Sequence, residues 1–428
     1  MPLGTPRARQ IGSHVSETDV IAAPRPLLLA DGRPADRAWT LDPAMRHLNH
    51  GSFGAVPLVA QERQKQLRVE MERSPVVWFP ALPQRIADTR VEIADFLAVA
   101  ADDLALVPNA SAGISVVYAA LDRRRGGEIV VTDHGYGAVT MGAERLARDR
   151  WDGRVRTARV PLDADEEQAY EAVFAEVSEA TDLIVVDQIT SATARLMPVE
   201  RIGAEARRRG IPLLVDAAHA PGLLPAPLDG LACDFWVGNL HKWGCAPRGT
   251  AALVARGPLR ERLYPPIDSW GAEDPYPDRF DQQGTVDATC YLAAPTALGL
   301  IERTWGWRRA RRYMDHLAGY AAQVIGAAFT ELTGADSGVD VGMPVPGMRL
   351  VRLPEGLGAT RVEADALRDR VAGELGVEAA FTSFGGIGYL RVSAHVYNTA
   401  ADYEYFAETC VPVLGEWART ARGRHGAP

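Results

Sequence analysis

The chain of 428 residues is too long for one small core and suits two or three domains. It is 47% hydrophobic and 24% charged, an ordinary globular composition, and a net charge of −9 leaves nucleic-acid binding without an electrostatic footprint. No apolar run reaches membrane-spanning length, the stretch Met1 to Arg7 lacks the apolar core of a secretory signal, and Cys233, Cys245, Cys290 and Cys410 lack metal or disulfide spacing, so a metal-free cytoplasmic protein is expected.

Residues 1 to about 38 are rich in Pro, Ala and Arg, show no sustained periodicity, and read as a mobile or loosely packed arm. The expected division is an arm over 1–40, a large domain over 41–310 and a smaller one over 311–428, with about the first 20 residues of the large segment free to pack on the small domain. Helices are expected from Ala60 to about Glu72 and over 84–98. Then apolar runs alternate with helical patterns. Leu104 to Val107, Glu128 to Thr132, Leu183 to Val186 and Pro212 to Val215 read as buried strands. Ile114 to Leu121, 142–151, 166–179 and Val199 to Arg209 read as helices. This alternation predicts an α/β fold with a mostly parallel sheet covered on both faces, and ligands gather at the carboxyl ends of such strands. After about residue 310 the pattern becomes long helices plus strands at Met348 to Leu353 and Gly388 to Val392, a smaller α+β unit. Two arginine clusters, Arg123 to Arg125 and Arg308 to Arg312, read as solvated faces.

Chemistry enters through Lys242. Only Lys65 and Lys242 are lysines; the rest of the 46 basic Lys and Arg residues are arginine. A lysine retained among Asn239, His241 and Trp243 is a candidate for what arginine cannot do, because a neutral amine forms a Schiff base. Asp216 ends the run Pro212 to Val215, where a buried carboxylate needs a partner; a helix cap explains it as well. Ser111, between a strand and a helix, either caps that helix or shapes an anion cup with free N–H groups. Tyr136, just after Thr132, either stacks on a ring or packs at the surface. Arg391 shares a strand face with Tyr389 and Ser393 and either clamps a carboxylate or makes a structural ion pair.

Six segments, in order over about residues 45 to 400, resemble fold-type I pyridoxal-phosphate enzymes of the class V aminotransferase family. They are His47 to Gly54, Asn109 to Gly113, Asp216 to Gly222, Cys233 to Trp243, Gly284 to Asp287 and Arg391 to Thr399. The isopenicillin N epimerase-like branch is the nearest resemblance, with similarity to cysteine desulfurases and C–S lyases. The resemblance implies a mostly parallel sheet of the seven-stranded type, the cofactor pyridoxal 5'-phosphate, and a homodimer with shared active sites. It makes Lys242 the Schiff-base lysine and the acid/base at the substrate Cα. Asp216 would pair with the pyridine nitrogen and His219 would lie near the phenolic oxygen. Ala110, Ser111, Asn239 and His241 would hold the phosphate, and Thr285 would reach the phosphate of the neighbouring subunit. Tyr136 would stack on the ring, where desulfurases place a histidine, and Thr190 or Ser191 would touch the cofactor. Arg391 would bind the substrate carboxylate, with Asn49, His50 and Gly51 near the substrate entrance.

The segment between Arg352 and Arg391 holds no cysteine, which disfavours persulfide-forming desulfuration. Epimerisation, β-elimination of a thiolate, transamination and decarboxylation all remain compatible with Lys242. Two other classes compete: a non-catalytic binding protein, and a Schiff-base aldolase that would leave Asp216 and the phosphate cup without a reason. Trp78, Phe79, Trp270 and Tyr276 either line a specificity pocket or simply pack.

Overall fold

The computed structural model describes residues 21–121 and 125–425. Seven strands make the central sheet: β1 (Leu104–Val107), β2 (Glu128–Thr132), β3 (Arg154–Ala158), β4 (Thr181–Asp187), β5 (Leu213–Asp216), β6 (Phe235–Asn239) and β7 (Ala251–Ala255). They lie in the order β1-β7-β6-β5-β4-β2-β3. Only β7 runs against its neighbours; the β2–β3, β2–β4, β4–β5 and β5–β6 pairs are parallel.

The apolar strand sequences explain this. Both faces are covered, so alternate residues feed two cores. Ile184, Val186 and Val215 enter one; Leu183, Val185, Leu214 and Val237 enter the other. Each such side chain contributes about 1.5–3 kcal/mol by leaving water. Three strands escape a reading by apolar runs. β3 is an edge strand, and its Arg154 and Thr157 are exposed. β6 carries Gly238 and Asn239, and three of the five residues of β7 are alanine, a residue that favours helices.

The covering helices are α1 (Leu58–Arg73), α2 (Pro75–Leu97), α3 (Ala110–Ala120), α4 (Gly137–Leu146), α5 (Glu166–Ala175), α6 (Val199–Arg209) and α7 (Thr289–Thr304). Helix α2 begins nine residues before the expected start at 84. It runs through Pro80 and Pro83, which cannot donate to the preceding turn, while buried Trp78 and Leu82 hold that stretch down. The C-terminal part packs α8 (Trp307–Thr333) and α9 (Arg361–Leu375) on a three-stranded antiparallel sheet. That sheet is β8 (Met348–Arg352), β9 (Ala380–Phe384) and β10 (Ile387–Ser393), in the order β9-β10-β8.

The N-terminal expectation needs correction. Residues 1–20 of the expected mobile arm lie outside the described residues, but residues 21–39 are pinned. Ile21 N–H donates to Gln323 at 2.8 Å, Trp305 Nε1 donates to the Leu28 carbonyl at 2.7 Å, and Leu27 and Trp39 are buried. Next, Arg46–His47 pairs in parallel with Val377–Glu378, which ties the start of the large segment to the C-terminal part.

The arginine clusters are also not uniformly solvated. Arg123 and Arg124 lie outside the described residues, and Arg125 is exposed beside Asp152. Arg311, however, donates to the Gly222 carbonyl at 3.0 Å and lies over the Trp307 ring. No helix among the described residues is long and apolar enough to cross a membrane.

Candidate active site

Asp216 ends β5 and Asp187 ends β4, and the two are register partners. Both are buried. Asp216 accepts the Ala218 N–H at 3.0 Å. Burial pushes its carboxyl up, and that N–H and Lys242 pull it back. Asp187 accepts the Tyr136 backbone N–H, but burial and the charge of Asp216 push its carboxyl well above the ordinary range. Two adjacent buried acids resist ionising together, and Asp187, which also feels the charge of Asp216, is the one pushed further toward its neutral form. Asp187 escaped the sequence reading, although it closes the run Leu183 to Val186 just as Asp216 closes the run Pro212 to Val215.

Lys242 sits in the tight turn after β6. Its carbonyl accepts the Cys245 N–H at 3.0 Å and a bond from His50 Nε2 at 3.0 Å. Cys245 closes the turn in the left-handed region, at φ +56°. Lys242 Nζ lies 3.1 Å from His219 Nε2. Burial, then the positive charge of Arg391, lowers the amine to about 8. His219 is 1% exposed, and burial holds its imidazole neutral.

The start of α3 differs from expectation. Its N-cap is Asn109, whose side chain accepts the Ala112 N–H at 2.9 Å; Ser111 is the second helical residue. Asn239 reaches across from β6, and its Oδ1 accepts the Ala110 N–H at 2.8 Å. The Ser111 N–H therefore remains in a turn whose other first N–H groups are engaged, with an exposed hydroxyl beside it. His241 bonds through Nδ1 to the Thr250 carbonyl at 3.1 Å, and burial lowers its imidazole to about 4. Thr285 lies exposed in the loop before α7.

A cavity of about 340 Å³ opens beside this cluster, lined by Asn49, Ser52, Tyr136, Ser191, Phe381 and Arg391 among others. Arg391 is 3% exposed. It donates to the Ser191 carbonyl at 2.7 Å, Ser191 Oγ at 3.2 Å, Ser52 Oγ at 2.9 Å and Asn49 Oδ1 at 3.1 Å. None of these partners is a carboxylate, and its Nε has no partner. Burial alone lowers this guanidinium to about 10. A buried cation short of a counter-ion, facing a cavity, is suited to a carboxylate.

The other expected residues divide. Tyr136 lines the cavity and is half exposed. Ser191 lines it too, whereas Thr190 is buried with its hydroxyl 2.6 Å from that of Thr193. Asn49 lines the cavity, but His50 and Gly51 do not; both are buried behind the Lys242 turn. Trp78 and Tyr276 are buried in the packing, Trp270 is 97% exposed, and neither they nor Phe79 line this cavity. No cysteine lines it either.

One group among the described residues brings metal-type donors together: His50, Cys245 and His395, within 4.8 Å. The two rings stack face to face at 3.9 Å. Imidazole lone pairs lie in the ring plane, so stacked rings do not converge on one ion. Both nitrogens of His50 are also already bonded, to Tyr397 and to the Lys242 carbonyl.

The residues present fit pyridoxal phosphate. A charged buried Asp216 answers a protonated pyridine ring, the start of α3 answers a phosphate, and a neutral Lys242 amine answers an aldehyde. Residues 79–337 match the Aminotransferase class-V family. The isopenicillin N epimerase of Streptomyces clavuligerus is 32% identical over 91% of this chain and 100% of its own. That of Amycolatopsis lactamdurans is 30% identical over 86% of this chain and 95% of its own. A probable chloroplastic L-cysteine desulfhydrase of Arabidopsis thaliana is 27% identical over 85% of this chain and 81% of its own. In fold, a solved structure of a C-DES mutant with glycine linked covalently to its PLP cofactor matches with a TM-score of 0.76 at 19% identity, covering 90% of this chain and 99% of that one. Family, fold and the buried lysine and strand-end carboxylate agree: the chain belongs to the class V aminotransferase family and is a pyridoxal-phosphate-dependent enzyme of fold type I.

Proposed function

We propose that this enzyme moves a proton at the Cα of an α-amino acid, or of a conjugate that carries one, with epimerisation as the leading outcome. The observation that carries this reading is Arg391, a buried guanidinium without a carboxylate, close enough to Lys242 to lower its amine. When bound, pyridoxal phosphate supplies an electron-accepting ring that stabilises negative charge at Cα.

In this reading Arg391 takes the substrate α-carboxylate and so fixes which Cα bond faces Lys242. Lys242, its amine lowered toward the neutral form, removes the Cα proton, and inversion is completed when a proton is delivered to the opposite face of Cα. Asp216 keeps the ring nitrogen protonated, and His219 bonds the phenolic oxygen. Ala110, Ser111, Asn239 and His241 anchor the phosphate, Tyr136 covers the ring, and the exposed Thr285 reaches the site of a second protomer in a homodimer. Isopenicillin N epimerases at 30% and 32% identity favour proton return over loss of a side-chain group.

The second reading is β-elimination of a thiol, favoured by the desulfhydrase relatives. It needs the same Lys242 step at Cα. The cysteine-free cavity lining would then release the sulfur as a free thiol rather than load it onto the protein.

The test is incubation of holoenzyme with a panel of amino acids in D₂O. Inverted, α-deuterated substrate supports epimerisation; pyruvate with ammonia moves the assignment to elimination. If Lys242→Ala matches the parent protein, and borohydride fixes no cofactor mass to the Lys242 peptide, the reading fails.

A further inference from the structure

Behind the reactive amine lies a second histidine face that the roles above do not use. The His219 Nδ1 lies 3.2 Å from Trp243 Nε1, while its Nε2 lies 3.1 Å from Lys242 Nζ. An indole N–H can only donate. His219 Nδ1 must therefore accept, and the ring proton of this neutral, buried imidazole sits on Nε2. That proton points at Lys242. A charged ammonium offers three donors and no acceptor, so it cannot meet an N–H; only the neutral amine, with its lone pair, completes the bond.

The Trp243 ring is held where it can impose this. It is fully buried, tilted against His50 at 5.2 Å and stacked near His395 at 6.1 Å. A side chain on Gly51 would meet Trp243 Cζ2 at 3.3 Å, and one on Gly347 would meet Cζ3 at 3.4 Å. Two glycines thus make the slot, and the slot fixes the direction of the indole N–H.

We propose that Trp243 is a positioning residue that locks His219 as an Nε2–H donor and so biases Lys242 of the cofactor-free protein toward its neutral amine. Once the cofactor is bound, the same donor serves its phenolic oxygen; that second half rests on the function proposed above, and the first half does not. The charged and titratable groups facing the pair are Asp187 and Asp216 from the strand ends, Arg391 from β10, and His50. Trp243→Phe alters none of them. It keeps an aromatic ring in the slot and removes the donor together with part of the indole's packing.

The experiment has two parts. In cofactor-free parent protein, ¹⁵N NMR of the imidazoles should show His219 as the Nε2–H tautomer; an Nδ1–H tautomer overturns the proposal without any variant. In Trp243→Phe, His219 becomes free to accept from an ammonium, and the Lys242 titration should move up. A rise of about one pH unit lowers the neutral fraction at pH 7 by about tenfold. The readout is the pH midpoint of amine labelling in cofactor-free protein. The imine absorbance of reconstituted protein should also titrate higher, because a phenolate without its donor holds the imine proton more tightly. His219→Gln controls for packing, since on that background Trp243→Phe should cause no further shift. Equal midpoints in parent and Trp243→Phe, with the tautomer unchanged, would reduce Trp243 to a packing residue. Normal labelling midpoints but failed reconstitution would instead count against the proposed function.

Discussion

Two arginines are buried in this protein without a carboxylate at ion-pair distance among the described residues, and they do opposite things. Arg195 is fully enclosed. It donates to the carbonyls of Pro161 at 2.8 Å, Leu162 at 2.9 Å, Ala164 at 2.8 Å and Leu196 at 3.3 Å. All three guanidinium nitrogens are used. Arg391 is nearly as buried, but its Nε has no partner and its other partners are two hydroxyls, an amide and one carbonyl beside open space. Burial of charge alone thus does not mark a site. Incomplete satisfaction facing a cavity does, because the missing partner has to come from outside.

The contrast can be broken most directly by removing each cation. Arg195→Leu takes the donor from the carbonyls of Leu162, Ala164 and Leu196, of which only Ala164 is fully buried, while the Pro161 carbonyl keeps the Ala164 N–H at 3.1 Å; a loss of about 2–3 kcal/mol is expected in denaturant unfolding. Arg391→Leu leaves Ser52 and Asn49, which are already bonded to each other at 2.7 Å. Its unfolding free energy should stay within about 1 kcal/mol of the parent. Instead kcat/KM should drop by about 10²–10³-fold, the loss expected for a desolvated charge pair. If Arg391→Leu unfolds and Arg195→Leu does not, the distinction is wrong.

The two strand-end acids sharpen the same idea at smaller cost. Asp187 is the acid pushed further toward its neutral form, so Asn there mimics it, and Asp187→Asn should change turnover by less than about tenfold. Asp216→Asn removes the charge meant for the ring nitrogen and should lower turnover by about 10²-fold or more. Equal losses would mean that the charge sits on the other acid.

These differences were unequally legible in the sequence. Asp216 and Arg391 stood out because each falls at the end of, or within, an apolar strand pattern where a charge is out of place, and Lys242 because it is one of two lysines in a chain whose other basic Lys and Arg residues are arginine. Asp187 follows the same rule and was missed; nothing but attention to the parallel run was needed. Arg195 was illegible as a special residue. What satisfies it is a loop of carbonyls more than 30 residues earlier, and one arginine among so many carries no local signature. Trp243 was visible as a neighbour of Lys242, but its donor role depends on a turn that brings His219 back beneath it. The arm over residues 21–39 read as mobile because its anchors, Leu27 and Trp39, are isolated apolar residues without period.

The smallest effect tests whether the two arginines also differ in reach. Arg391 is the second cause, after burial, of the lowered Lys242 amine, and Arg195 is not among the causes. Lys242 titrates near 8 rather than 10.5, so cofactor reconstitution, which needs the free amine, should speed up with a midpoint near pH 8. Removing a nearby positive charge makes protonation easier. In Arg391→Leu the midpoint should therefore move to higher pH, and reconstitution at pH 7 should slow. A fraction of a pH unit is enough to see by stopped-flow absorbance across a pH series. In an Arg195→Lys protein that still folds, the midpoint should stay near pH 8, because that cation acts on its own ring of carbonyls. A shift in both variants would mean that general loosening of the fold, not the field of Arg391, sets the amine.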